Sequence, residues 1–148
     1  MNKLVLGIFT STIAFAYSCE KNNEVISERK IALKTDKNSY CINENLVFTI
    51  NNNLDSSAYY LVCSGYQKPI PGIEKINNDI WFTERAPICE GFMTYCCNEL
   101  NKSESVSDVI SLNNLSTGRY RLKIIFFVRN SENHYIDYET VSNEFTIE

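Results

Sequence analysis

Tyr120-Arg121-Leu122-Lys123-Ile124-Ile125-Phe126-Phe127-Val128-Arg129 is the stretch on which the fold turns. Every second residue, Tyr120, Leu122, Ile124, Phe126 and Val128, is apolar, which is the period of a strand with one face buried and does not suit a helical stripe. The residues between them are mixed. Arg121, Lys123 and Arg129 suit a solvated face, whereas Ile125 and Phe127 predict that something covers that face locally.

The same period recurs on either side. Asn45–Asn51 places Leu46, Phe48 and Ile50 on one face, and Ile31–Lys34 does the same with Ile31 and Leu33. Ala58–Cys63 is apolar enough for a central strand. Gly72–Ile76 and Ile80–Thr83 flank Asn77-Asn78-Asp79, residue types that tolerate the left-handed backbone of a tight hairpin. Ser107–Leu112 and Asn143–Ile147 read as further strands. No stretch behind the first eighteen residues has the spacing of an amphipathic helix, so the series predicts an all-β, antiparallel sandwich of about seven strands. The segment from Glu84 to Lys102, with Pro87, Gly91 and three cysteines, is expected to be a long connection pinned by disulfides.

Residues 1–18 read as a secretion leader. Lys3 supplies positive charge, Leu4–Tyr17 is uncharged and mostly apolar, and Ala16 and Ser18 are small residues at the −3 and −1 positions before Cys19. Fourteen residues of helix rise about 21 Å, short of the roughly 30 Å bilayer core, which makes the run a signal and not a span. Phe15-Ala16-Tyr17-Ser18-Cys19 resembles a lipobox, which implies acylation of Cys19, palmitate among the acyl groups, and anchorage to a membrane of the bacterial cell envelope. Ala16 and the bulky Tyr17 depart from the usual pattern, and ordinary cleavage before an unmodified Cys19 is the alternative. Residues 19–30 are polar and suit a tether. Residues 31–148 then form one domain.

The 148 residues carry a net charge of −4, which becomes −5 when Lys3 departs and disfavours nucleic acid as a partner. Cys41, Cys63, Cys89, Cys96 and Cys97 are disulfide candidates in an exported chain, with connectivity open. Acylation of Cys19 leaves an odd number of thiols. The one histidine, His134, lies in a polar turn and is expected to be solvated, so no general base stands out. There is no phosphate-binding glycine loop or nucleophile elbow. Cys89, Cys96, Cys97 and His134 lack the spacing of a zinc site, and the acidic pairs Glu84/Glu90 and Asp137/Glu139 suit an ordinary surface. The expectation is a protein that is not an enzyme and has no cofactor or metal. Of the aromatic-rich middle, Tyr66, Trp81, Phe82, Phe92 and Tyr95 are the candidate contact residues for a protein or glycan partner.

Thr35-Asp36-Lys37-Asn38-Ser39-Tyr40, the polar Asn43-Glu44-Asn45, and Asn51-Asn52-Asn53 resemble the opening of bacterial immunoglobulin-like domains. Cys63, the lone Trp81, Cys89, Leu115-Ser116-Thr117-Gly118-Arg119-Tyr120 and Ser142-Asn143-Glu144-Phe145 continue the likeness over residues 31–148. The resemblance implies an immunoglobulin-like sandwich and a Cys63–Cys89 bridge. Cys41 with Cys96 or Cys97 is the next pairing expected. Leu115, Gly118 and Tyr120 are similar to a tyrosine corner, although Leu122 stands where antibody domains carry a cysteine. The functional expectation is a binding or scaffold module. The alternative is a proteinase inhibitor using the cysteine-rich segment 83–98, since bacterial inhibitor domains look similar in architecture.

Overall fold

A computed structural model describes residues 31–65, 67–89 and 95–148, with the backbone alone at Tyr95. The leader, Cys19, the tether 19–30, Tyr66, Glu90 and Phe92 lie outside the described residues.

The period-two runs become strands in two facing sheets. The smaller has the order β1 (Ile31–Thr35), β3 (Asn45–Asn52), β8 (Ser105–Ser111), all antiparallel. The larger has eight strands: β2 (Ser39–Tyr40), β4 (Ala58–Cys63), β5 (Gly72–Asn77), β6 (Ile80–Arg85), β7 (Tyr95–Leu100), β9 (Gly118–Arg129), β10 (Tyr135–Val141) and β11 (Phe145–Ile147). No helix occurs among the described residues.

At twelve residues, β9 is long enough to pair with two strands along each edge. Tyr120 faces Phe145 of β11 on one side and Lys75 of β5 on the other, while Phe126 faces Tyr138 of β10 and Tyr60 of β4. Lys123 likewise lies between Val141 of β10 and Gly72 of β5. Hence β4 and β5 share one lane and β10 and β11 the other. Since β7 pairs with β4 and β6 with β5, they form the next lane out. Among the described residues the eleven strands therefore fill eight lanes, near the seven expected, because three lanes are broken by excursions. One pairing, β2 with β11, is parallel: the chain crosses from the small sheet to the large one at Asp36–Asn38 and keeps its direction.

Two stretches differ from the sequence expectation. Tyr95–Leu100, taken as irregular connection, is strand β7, which pairs with β4 from Ala58↔Leu100 to Cys63↔Tyr95. It sits at the sheet edge, so its alternation carries little hydrophobic contrast, and among its described side chains only Leu100 is buried. Arg85 belongs to β6, and its guanidinium donates to the carbonyls of Ser111 and Asn113 at 2.7 and 2.5 Å, tying the hairpin to the small sheet. Asn78 and Asp79 close that hairpin, both with positive φ, as a two-residue turn of the right-handed-twist-compatible kind.

The core lies between the sheets. Leu46, Phe48 and Ile50 of β3 meet Tyr120, Leu122 and Phe126 of β9, all essentially inaccessible. Tyr120 stacks on Phe145 and its hydroxyl donates to the Ser116 carbonyl at 2.7 Å, the hydrogen bond that defines a tyrosine corner. Gly118 enters that corner at φ +149°, a backbone conformation that residues with a side chain rarely adopt, while the nearest obstacle to a Cβ, Lys75 Cε at 2.8 Å, is the end of a flexible side chain that can move aside. Tyr40 does the equivalent work at the crossing, donating to Asp36 Oδ1 at 2.6 Å. Burial, with the Asp36 carboxylate next, pushes its phenol up to about 12. Buried Asn52 holds the far end: its amide reaches the carbonyls of Ser56, Leu100 and Asn101, and its oxygen accepts from the Leu54 N–H.

Candidate functional site

The register of the large sheet assembles its outer face in rows. Tyr59 of β4 lies between Glu99 of β7 and Phe127 of β9, and Phe127 in turn faces Asp137 of β10. One row on, Leu61 faces Cys97, Ile125 faces Glu139, and Leu61 and Ile125 line one cavity. Leu61 and Ile125 are thus neighbours on a face that alternation reserves for solvent, and Ile125 is 42% exposed.

Leu61 joins two cavities on this face. One, of about 260 Å³, is enclosed by Ile125, Ile70, Ala86 and Pro87, with Glu74 and Lys123 at its polar end. The other, of about 360 Å³, lies among Tyr59, Cys97, Phe127 and Tyr135. Ile70, Ala86 and Pro87, from the connections that follow β4 and β6, supply walls of the first cavity, and the Cys63–Cys89 disulfide joins β4 to the second connection with a Cα–Cα distance of 5.4 Å. The bridge expected from the family resemblance is therefore formed.

At the polar end, Glu74 is only 6% exposed although it points outward. Arg121 donates to it at 2.7 Å, Lys123 lies 3.5 Å away, and Lys123 also binds Glu139 at 2.8 Å. The hydrogen bond to Glu139, backed by Glu74, holds the Lys123 ammonium above its usual range. The Arg121 guanidinium lies over the Trp81 ring, 4.3 Å from its centroid, and shields the network from water. At the opposite end Tyr59 and Tyr135 meet edge to face, and Arg129 lies over the Tyr135 ring. The phenol of Tyr59 is raised, first by desolvation and then by the Glu99 carboxylate. The face thus offers an apolar trough with an ionic cluster at one end and tyrosines at the other. That suits contact and orientation more than chemistry.

The sequence-expected residues divide unevenly over this surface. Trp81 borders the polar end, but Phe82, 40% exposed, projects from the opposite side of β6. Tyr95 opens β7, and Tyr66 and Phe92 fall outside the described residues. Leu61, Glu74 and Tyr135 do not stand out in the sequence, and Tyr59 does so only as part of the aromatic-rich middle, because their convergence depends on strand register that spans up to 76 residues of chain. Arg121 and Lys123, read as a solvated stripe, instead converge on Glu74. His134 is exposed in the β9–β10 turn, with Glu132 3.8 Å away. Among the described residues no cluster of histidine, cysteine and carboxylate side chains could hold a metal ion.

Cys41 bonds to neither Cys96 nor Cys97, and all three thiols are free and exposed. Cys41 follows β2 at one edge of the large sheet and the other two lie on β7 at the opposite edge, with three lanes between. At about 4.8 Å per lane the gap is on the order of 19 Å, far beyond the roughly 7 Å Cα separation a disulfide permits. Comparison with known proteins found no protein family that matches this chain, and no curated protein or solved structure with significant similarity to it.

Proposed function

We propose that the chain is an exported, lipid-anchored, non-catalytic binding module of the immunoglobulin-like type, and that it engages its partner through the outer face of its larger sheet. The observation that carries this reading is the apolar trough around Leu61 and Ile125, on a face whose position in a sandwich calls for polar residues. The order of the lanes and the tyrosine corner support the immunoglobulin-like assignment. The leader-like run before Cys19 and the disulfide support export and anchorage. A glycan or protein partner fits the mixture of tyrosines, apolar floor and paired charges.

Two measurements test this. Intact mass of the native protein should begin at Cys19 with acyl additions; an unmodified Cys19 contradicts the anchor. Retention of purified mature chain carrying Cys19→Ser, and so lacking the anchor, on the envelope fraction of the cells that make it should fall at least tenfold with Ile125→Asp and hold with Thr49→Asp on the other sheet. Equal retention of the two variants contradicts the binding face.

A second reading, proteinase inhibition through segment 83–98, draws support from Ile88, 66% exposed beside the disulfide-bonded Cys89. Unchanged rates across a panel of proteinases would dispose of it.

A further inference from the structure

The three free thiols have no partner within reach of one another. Cys41 is separated from β7 by three lanes, and Cys96 and Cys97 are consecutive on a strand, so their side chains leave opposite faces and diverge. Such thiols in an oxidising compartment are candidates for a bond to another molecule. The strand that carries two of them is itself unfinished. Among the described residues β7 pairs only with β4, leaving the backbone of its other edge open. Its sequence, Tyr95-Cys96-Cys97-Asn98-Glu99-Leu100, has no proline or lysine to block addition of a further strand.

We propose that β7 pairs edge to edge with β7 of a second copy, and that a Cys97–Cys97 disulfide locks the pair. The inference rests on the export reading for its oxidising environment, while the pairing geometry is independent of it. Antiparallel pairing about a two-fold axis normal to the sheet sets residues opposite one another whose numbers sum to an even constant, because directly opposed residues share a face. With the axis through Cys97, the two Cys97 side chains oppose each other on the outer face. Cys96 then faces Asn98 of the second copy and Tyr95 faces Glu99, so no like charges meet and the edge is complementary to itself. Closely opposed residues in an antiparallel pair lie about 4.5–5.5 Å apart, within the range a disulfide spans.

The bond forms by thiol–disulfide exchange. One Cys97 thiolate attacks a disulfide-bearing oxidant, giving a mixed disulfide and releasing one thiol. The second Cys97 thiolate then displaces the other half of the oxidant. Two thiols lose two electrons and two protons in total, and the oxidant disulfide is reduced to two thiols. Cys97 borders the cavity formed with Tyr59, Leu61, Phe127 and Tyr135, so this dimer sets two such cavities side by side on one continuous outer face. The partner surface is thereby doubled.

The test uses the purified mature chain carrying Cys19→Ser, equilibrated in a glutathione redox buffer, then alkylated and read by non-reducing electrophoresis and peptide mass. The expected product is a dimer, reversed by reductant, with Cys97 joined to Cys97. Cys97→Ser should lower its yield at least tenfold, and Cys41→Ser and Cys96→Ser should leave it within twofold. A monomer with Cys97 capped by glutathione, or a dimer that persists in Cys97→Ser, overturns the proposal. Alkylation in the producing cells reads the compartment separately: Cys63 and Cys89 protected from the reagent fits export, and both labelled contradicts export without touching the pairing result.

Discussion

The two sheets turn very different faces to the outside. On the small sheet the outward residues are hydrophilic and satisfy one another: Thr49 and Ser107 share a hydroxyl hydrogen bond at 2.8 Å, and Ser105 donates to Asn51 at 2.7 Å. Val47 and Val109 form the one outward apolar pair in the β3–β8 register. On the large sheet the same alternation delivers Leu61, Ile125, Phe127, Tyr59 and Tyr135. A sandwich needs only its inner faces to fold. The small sheet's exterior is therefore explained by solubility, while the large sheet's exterior is apolar beyond any need of the core. That difference marks the large sheet as the face of contact.

Substitutions can break or sharpen the contrast. Removing the bridge with Cys63→Ser and Cys89→Ser should cost about 3 kcal/mol, as expected for a closed loop of this size. It should loosen the walls of the large-sheet cavity and leave the small sheet ordered, as read by denaturant unfolding and amide exchange. Uniform loss of protection in both sheets would contradict the local role. Glu74→Gln should destabilise by about 2 kcal/mol, because it leaves the partly buried Arg121 and Lys123 without their shared counter-charge. Asn52→Ala should cost a similar amount, about 2 kcal/mol, by orphaning buried carbonyls where the small sheet meets β7. Equilibrium urea titration checks both.

Tyr40 predicts a pH dependence. Its folded pKa of about 12 lies above the ordinary phenol value, so the unfolded chain releases this proton first. The stabilising contribution is complete below about pH 10 and is lost as the pH rises toward 12. Tyr40→Phe should flatten the alkaline limb of stability; an unchanged limb would count against the assignment. The smallest effects on stability, under about 1 kcal/mol, belong to Ile125→Asp, which sets a carboxylate opposite Glu139, and to Val109→Asp, since both sites are exposed. The two should differ only in binding.

The inner face of this fold was legible in the sequence and much of the outer face was not, for one physical reason. Burial imposes period-two alternation, so β3, β4 and β9 can be read from Leu46-x-Phe48-x-Ile50 or Tyr120-x-Leu122-x-Ile124 alone. The edge strand β7 buries little and leaves almost no such trace. Ile125 and Phe127 stand out in the sequence as apolar residues on the wrong face of β9, but the local cover they predict is incomplete, since Ile125 stays 42% exposed. What they meet is not legible, because Leu61 and Tyr59 reach them only through the pairing of β4 with the distant β9, although Tyr135 follows from the local β9–β10 hairpin. The Glu74 network was hidden in the same way: Arg121 and Lys123 look like a solvated stripe until β5 is laid beside them.

The most direct test of the contact face uses two sites matched in chemistry and accessibility. A photo-crosslinking residue is placed at Ile125 or at Val109, 42% and 51% exposed on opposite outer faces. Each variant is irradiated on the envelope fraction of the producing cells. Discrete crosslinked products from position 125 with none from position 109 are the predicted result. Equal products from both positions, or products from 109 alone, would contradict the assignment of the large sheet as the binding face.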